Sequence, residues 1–260
     1  MRTAAQRMRD FWEKRASHNA MYFIDASQKS WDIDSFYAKG NAIVERVIDP
    51  ILNNLAIDPG EKAVLEIGCG MGRLFPALSR RFAEVYGVDV SEEMLARGMS
   101  LCPQAAHWIL CDGLSMSGVH DASVDYVISF EVFQHIPDPE VIEGYFSEIF
   151  RVLNGRGAFQ IQMRCGSDTK RQELIRRLPR FGRVAVSRTL RQIGALDVVG
   201  DIDTWLGCVV QPRDAVLMAV RAGFEGVSVV SDDFHPQGMG YWIIGRRPPI
   251  NELGRSTSAM

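Results

Sequence analysis

Three glycines at alternate positions, Gly68, Gly70 and Gly72, follow the apolar run Val64-Leu65-Glu66-Ile67 and precede a second apolar stretch that starts at Phe75. A strand ending in such a loop, with a helix after it, can turn sharply and lets a ligand lie against main-chain amides without side-chain obstruction. A dinucleotide loop favours G-x-G-x-x-G, whose third glycine brings helix and strand close. This chain has G-x-G-x-G. Glu66, two residues before the first glycine, is an awkward neighbour for a pyrophosphate but suits a ligand with an amino group and a positive sulfur. Alone, the loop leaves a structural role or another ligand open.

Two acids narrow the choice. Asp89 closes the run Val85-Tyr86-Gly87-Val88, about twenty residues after the first glycine, where a carboxylate can take both hydroxyls of a ribose. Nicotinamide and adenosyl ligands both ask for that. Asp112 closes Trp108-Ile109-Leu110-Cys111 and suits the amino group of an adenine ring. Each also has a plainer reading: Asp89 as a helix cap, which Ser91 could equally be, and Asp112 as a loop residue.

These segments, in this order, resemble the class I S-adenosylmethionine-dependent methyltransferases, particularly the branch that modifies small molecules. The resemblance covers roughly Ala42 to Met163. It extends to Ser91-Glu92-Glu93-Met94-Leu95 after the ribose acid, to the stretch from Asp125 to Ile136, and to Leu153-Asn154-Gly155-Arg156-Gly157. It implies S-adenosyl-L-methionine as cofactor, with Gly68, Cys69, Gly70 and Gly72 lining the methionine moiety. Asp89, with Val90 beside it, would hold the ribose, and Met94 would cover the adenine. Asp112 would meet the adenine amino nitrogen, and Gly113 and Leu114 would complete that pocket. Glu66 would support the loop and the amino end of the cofactor, while Phe130 and Glu131 border its methionine end, although Glu131 reads equally well as a helix-start carboxylate.

Methyl transfer from a sulfonium is an in-line displacement, so the protein mainly aligns the partners and excludes water. No metal is needed. A hydroxyl or protonated amine acceptor adds the demand for a base. His135 is the candidate by position, because it follows the fourth strand at the carboxyl edge of the sheet. The competing reading makes it a packing residue of the turn before Ile136-Pro137-Asp138. A nucleic-acid substrate is disfavoured: the fourth strand ends in Ser129-Phe130-Glu131-Val132 instead of a D/N-P-P-Y/F signature, and Cys102-Pro103 reverses the order of a nucleophilic Pro-Cys pair. The alternatives are a nicotinamide-dependent oxidoreductase, which the glycine spacing disfavours, a non-catalytic adenosyl-ligand sensor, and a methyltransferase acting on a macromolecular or carrier-bound acceptor.

The elements that must position these residues are legible in the apolar pattern. Short runs at Ala63–Ile67, Val85–Val88, Trp108–Leu110, Tyr126–Phe130 and Ala158–Met163 alternate with helical stretches at Phe75–Phe82, Glu92–Met99 and Glu140–Leu153. Strands that are apolar throughout, separated by helices, predict a doubly wound α/β sheet, mostly parallel. By resemblance it has seven strands in a Rossmann-like methyltransferase fold and ends in an antiparallel strand at Tyr241–Ile244. A helix from Arg213 to Ala222 and a strand at Val227–Val230 precede that end. Residues 1–57 form an N-terminal helical arm and first helix, with a basic helix over Thr3–Arg15, an aromatic segment over Asn19–Tyr37 and an amphipathic helix over Gly40–Leu55. Residues 58–164 and 211–247 form the cofactor-binding domain, 165–210 a helical insertion, and 248–260 a flexible tail.

Composition sets the outer bounds. The chain has 260 residues, 47% hydrophobic and 23% charged, enough for a sizeable core. Its net charge of -3 gives no overall pull toward nucleic acid or membrane. Locally, the stretch from Arg164 to Arg191 holds nine basic side chains against Asp168 and Glu173. That predicts either a lid that attracts an anionic acceptor or amphipathic helices with solvated arginines. Five cysteines without a C-x-x-C pair, and no long apolar window, lead us to expect a cytoplasmic protein without disulfides or zinc, acting on a small molecule. A homodimer is left open.

Overall fold

The computed structural model describes residues 3–28, 30–102, 107–164, 207–232 and 240–250. Its central strands are apolar on both sides because each face of the sheet has its own core. Along β1 (Ala63–Ile67), β4 (Val124–Ser129), β5 (Leu153–Arg164) and β7 (Gly240–Arg246), successive side chains alternate between the two. Leu65, Val127, Phe159 and Ile243 enter one core; Val64, Tyr126, Ile128 and Trp242 enter the other. The first is closed by Ile142, Phe146 and Ile149 of α6 (Pro139–Val152) and by Ala215 and Ala219 of α7 (Pro212–Arg221). The second is closed by α2 (Ile33–Ile43), a π-helical turn (Val44–Ile48), α3 (Asp49–Asn54) and α4 (Phe75–Leu78). A period of two with both faces covered is the pattern of a sheet between helical layers.

With β2 (Glu84–Asp89), β3 (His107–Leu110) and β6 (Glu225–Ser231), the sheet has seven strands in the order β3-β2-β1-β4-β5-β7-β6. The pairs β3-β2, β2-β1, β1-β4 and β4-β5 are parallel, and β7 runs antiparallel to both of its neighbours. The doubly wound sheet and its reversed last strand are therefore as expected. Strand order reverses between β1 and β4, and the crevice outside the carboxyl ends of strands at such a switch point is where open α/β sheets bind ligands.

Three boundaries differ from the apolar pattern. The N-terminal helix α1 runs over Ala4–Ile24 instead of stopping at Arg15. Asn19 leaves helical geometry, and its side chain accepts from the Tyr22 amide at 3.3 Å, so a second helical stretch starts on a fresh cap. The helix expected from Gly40 starts at Ile33, where Asp32 caps it by accepting from the Ser35 amide at 2.9 Å. It widens into π geometry before Pro50, which has no N–H to give to the preceding turn. Finally, α4 ends at Leu78 and not at Phe82, because the amides of Arg81 and Phe82 both fall on the Leu78 carbonyl in a closing turn. The expected insertion over 165–210, with its basic run, lies outside the described residues up to 206, as does the tail beyond 250.

Candidate functional site at the carboxyl edge of the sheet

The glycine loop leaves β1 with positive φ at all three glycines, +72° at Gly68, +54° at Gly70 and +74° at Gly72. These conformations exclude ordinary side chains. So does the space: a Cβ on Gly68 would lie inside the Val132 side chain, and one on Gly72 would meet the Trp108 ring at 2.6 Å. The amides, however, are not directed at a ligand as the sequence led us to expect. Gly68 and Cys69 both donate to the Val88 carbonyl, at 2.8 and 3.1 Å, Gly70 donates to Asp89 at 2.8 Å, and Gly72 donates back to Cys69. The loop spends these donors on lashing β1 to β2 and on closing its own turn. The thiol of Cys69 is buried and directed at Gly87 of β2. Burial pushes that thiol well above its ordinary pKa.

Asp89 lies in this cleft, with one carboxylate oxygen on the Gly70 amide and the other on the Ser91 amide at 2.9 Å. Two amides leave lone pairs on both oxygens, so the acid still has acceptor capacity for a ribose. Desolvation raises its pKa, against the opposing effect of the amides of Ser91 and Gly70. Ser91 caps α5 (Glu92–Leu101), its side chain accepting from the Met94 amide. Val90 faces Gly113: a Cβ on that glycine, whose φ is +82°, would meet Val90 at 3.3 Å. Asp112 is exposed, and one of its oxygens accepts from the amides of Leu114 and Ser115, at 2.8 and 2.7 Å. It folds its own turn, and Leu114 is exposed beside it. Met94 is buried with Met71 against Ala16 and Ala20 of α1.

Beneath the loop lies a buried charged cluster that the sequence reading only half found. Glu66 is buried, and its Oε2 has no hydrogen-bond partner among the described residues. Burial pushes its carboxyl up to about 8, with the charge of Arg73 pulling down and that of Asp89 pushing up. Arg73, directly after the third glycine, is also buried, and it pairs through Nη1 with Asp25 at 2.8 Å. Its guanidinium stands 5.7 Å from the Phe130 ring centre and feels the charges of Glu131 and Glu66. Nothing in the glycine spacing singles Arg73 out, and Asp25 lies 48 residues away in the arm.

The end of β4 forms the other wall. Phe130 stacks on Trp242 with ring centres 5.8 Å apart. Glu131 adopts a left-handed backbone, φ +63°, which a non-glycine residue holds only where its surroundings enforce it. The enforcement comes from β5: the Glu131 amide donates to Gln162 at 2.8 Å, and Gln162 donates to the buried Asp232 at 2.6 Å. The Glu131 carboxylate contacts Gln134. His135 ends a short 3-10 turn, with Gln134 at 3.3 Å and its ring edge-on to Trp12 at 5.0 Å. Gln162 and Asp232 were not found from the sequence, where they read as ordinary polar positions at strand ends.

Helix α1 lies along this edge. Met8 approaches Gly113, Ile24 approaches Gly70, and Glu13 accepts from the Ser91 hydroxyl at 2.7 Å. A family model described as a methyltransferase domain matches residues 65–161. Among curated proteins, the ubiquinone biosynthesis O-methyltransferase of Psychrobacter arcticus is 28% identical over 70% of this chain and 66% of its own length. The enzyme of the same name from Idiomarina loihiensis is 34% identical over 31% of this chain and 35% of its own length. The chain thus spans less than two thirds of the curated relatives it matches. Among solved structures, the magnesium protoporphyrin IX methyltransferase of Synechocystis PCC 6803 aligns with TM-score 0.59 at 18% identity, over 92% of this chain and 97% of that one. A phosphoethanolamine N-methyltransferase from Haemonchus contortus aligns with TM-score 0.60 at 17% identity, over 93% of this chain and 60% of that one. These two likenesses establish the fold.

The sheet order and the glycine loop accord with the methyltransferase-domain model that matches residues 65–161, and the solved Synechocystis relative holds S-adenosylhomocysteine, the product form of an S-adenosylmethionine cofactor. The site fits such a cofactor on its own geometry. Two buried polar atoms beside the loop, Glu66 Oε2 and Arg73 Nε, have no hydrogen-bond partner among the described residues, and the Asp89 carboxylate keeps acceptor capacity beside them. No helix among those residues is long and apolar enough to cross a membrane.

Proposed function

We propose that this protein transfers a methyl group from S-adenosyl-L-methionine to oxygen or nitrogen of a small molecule. The observation that carries this reading is the joining of the ribose acid to the loop: Asp89 accepts from Gly70, so a carboxylate suited to a sugar stands directly beside the glycine turn and the buried Arg73 Nε and Glu66 Oε2, which have no partner among the described residues. Bound there, the cofactor supplies a methyl group already activated by a positive sulfur. Gly68, Cys69, Gly70 and Gly72 would shape the tail's berth, Asp89 and Val90 the sugar's, and Met94, Asp112, Gly113 and Leu114 the base's. Phe130 and Glu131 would border the methyl side. Helix α1 above the cleft excludes water, the main service such a displacement needs.

The curated relatives are named for O-methylation in ubiquinone biosynthesis, which favours a hydroxyl oxygen as acceptor. A hydroxyl must lose its proton, and the turn after β4 brings two titratable side chains to that wall, Glu131 and His135. We place the base between them. Acceptor recognition by an insertion over 165–210 rests on the basic run in the sequence. Neutralising Arg176, Arg177 and Arg180 together would then raise the acceptor KM in a salt-dependent way.

The test begins with titration calorimetry of S-adenosylhomocysteine against NAD, and continues with label transfer from methyl-labelled S-adenosylmethionine to a panel of hydroxylated aromatics and amines. Binding of the first ligand alone, with turnover on the panel, is the expected result. Preference for NAD would overturn the cofactor assignment. Tight binding with no transfer to any protic acceptor would favour a ligand sensor.

A further inference from the structure

We propose that Arg73 takes the carboxylate of the cofactor's amino-acid tail, with Asp25 of the N-terminal arm setting the direction of its guanidinium, so that the protein distinguishes nucleosides that carry an amino acid from those that do not. The proposal rests on the S-adenosylmethionine reading and names the residues that read one end of that ligand.

The first ground is the state of the guanidinium. Arginine presents five N–H donors in a rigid fork and keeps its charge in the interior, so a buried guanidinium calls for several acceptors. Arg73 is 6% exposed, yet one carboxylate, Asp25, meets it through Nη1 at 2.8 Å, and its Nε is buried without a partner among the described residues. Such a donor is costly to leave unmade. Glu66 and Glu131 act on Arg73 through charge, and the described residues show no hydrogen bond from Arg73 to either. A ligand carboxylate is the complementary group for the fork, because paired N–H donors meet paired oxygens.

The second ground is place. Arg73 follows Gly72 directly, and the two carboxylates that sense its charge come from the ends of β1 and β4, which flank the loop. The Arg73 main chain is wedged against Gly40 of α2, so the residue cannot slide along the loop. Asp25 is equally well held. It pairs with Lys39 at 3.3 Å and accepts from the Ser27 amide at 3.0 Å, while its own carbonyl accepts from the Trp31 indole at 2.8 Å. Those contacts make Asp25 a fixed post that takes one branch of the fork and leaves the rest to a ligand. Asp25 is thus a positioning residue, and Arg73 is the residue that would touch the tail.

Two ligands separate this from mere support of the loop. S-adenosylhomocysteine carries the amino acid, whereas 5′-methylthioadenosine keeps the nucleoside and thioether and lacks it. Dissociation constants for both are measured by titration calorimetry on the full chain. Wild type should prefer S-adenosylhomocysteine by about tenfold or more, and Arg73→Met should erase most of that preference while changing methylthioadenosine affinity less than about twofold. Asp25→Asn should cost about threefold for S-adenosylhomocysteine alone. Arg73→Lys, which keeps the charge without the fork, should recover part of the loss and serves if the methionine variant does not fold. Equal weakening of both ligands in the Arg73 variants, or no weakening of either, overturns the proposal. Wild type that binds both ligands equally also overturns it, whereas wild type that binds neither overturns the cofactor reading beneath it.

Discussion

Glu66 is a carboxyl group held in the interior at the end of β1, and burial places its pKa at about 8 against an ordinary 4.5. Because the folded-state value is raised, the stabilisation it reports is complete below about 4.5 and is lost as pH climbs toward 8. In the ligand-free protein the melting temperature of Glu66→Gln should therefore gain on that of wild type as pH is raised from about 5 to about 8.5. A constant difference across that range would mean that Glu66 is not buried as described. Gly68→Ala should cost about 2 kcal/mol or more in urea unfolding, since φ is +72° and Val132 occupies the Cβ position. At this scale the sequence was informative about residue types and less so about their partners. Glycine spacing marked the sharp turn after β1, and the strand-end position marked Asp89, which the structure sets on the Gly70 amide. The sequence could not show that the loop amides are spent on Val88 and Asp89, because that depends on the register that sets Ile67 against Val88. Arg73 and Asp25 escaped for a related reason: their meaning lies in a pairing across 48 residues, and neither belongs to a local pattern.

Among the elements, α1 carries the clearest expectation. It touches the site through Met8 near Gly113, Trp12 against His135, Glu13 on Ser91 and Ile24 near Gly70. Backbone amide exchange over Ala16–Ile24 should slow when S-adenosylhomocysteine binds, by more than in α7, which packs on one face of the sheet away from the loop. Equal protection in both helices would indicate a global effect and not a ligand beneath the arm. The strands and the helices beside them were readable because a period of two or of 3.6 residues survives in short windows. The arm was readable only in part. Asn19 and the aromatics after it look like a break in the sequence, and in the fold Asn19 is the cap on which the helix resumes.

For the molecule as a whole, a buried polar link on the second core's side ties the sheet to its helical layer. The Tyr126 hydroxyl donates to Gln160 at 2.5 Å, and Gln160 donates to the Val47 carbonyl at 3.1 Å in the π-helical turn, tying β4, β5 and the helical layer together. Gln160→Ala strands both partners in the interior and should lower the unfolding free energy by about 2 kcal/mol or more, with an unchanged denaturant slope if folding stays two-state. A loss under about 0.5 kcal/mol would mean that water replaces the link. The doubly wound topology itself followed from alternation of apolar runs and helices, whereas the insertion's role could be read only from its charge. One consequence concerns traffic. With α1 fastened to Ser91 through Glu13 and, by its C-cap Asp25, to Arg73, a nucleoside held at the proposed site would lie beneath the helix, and its exchange would require those fastenings to part. Turnover should then obey a compulsory sequence, nucleoside first on and last off. Initial-rate inhibition by the demethylated product would be competitive against the methyl donor and noncompetitive against the acceptor.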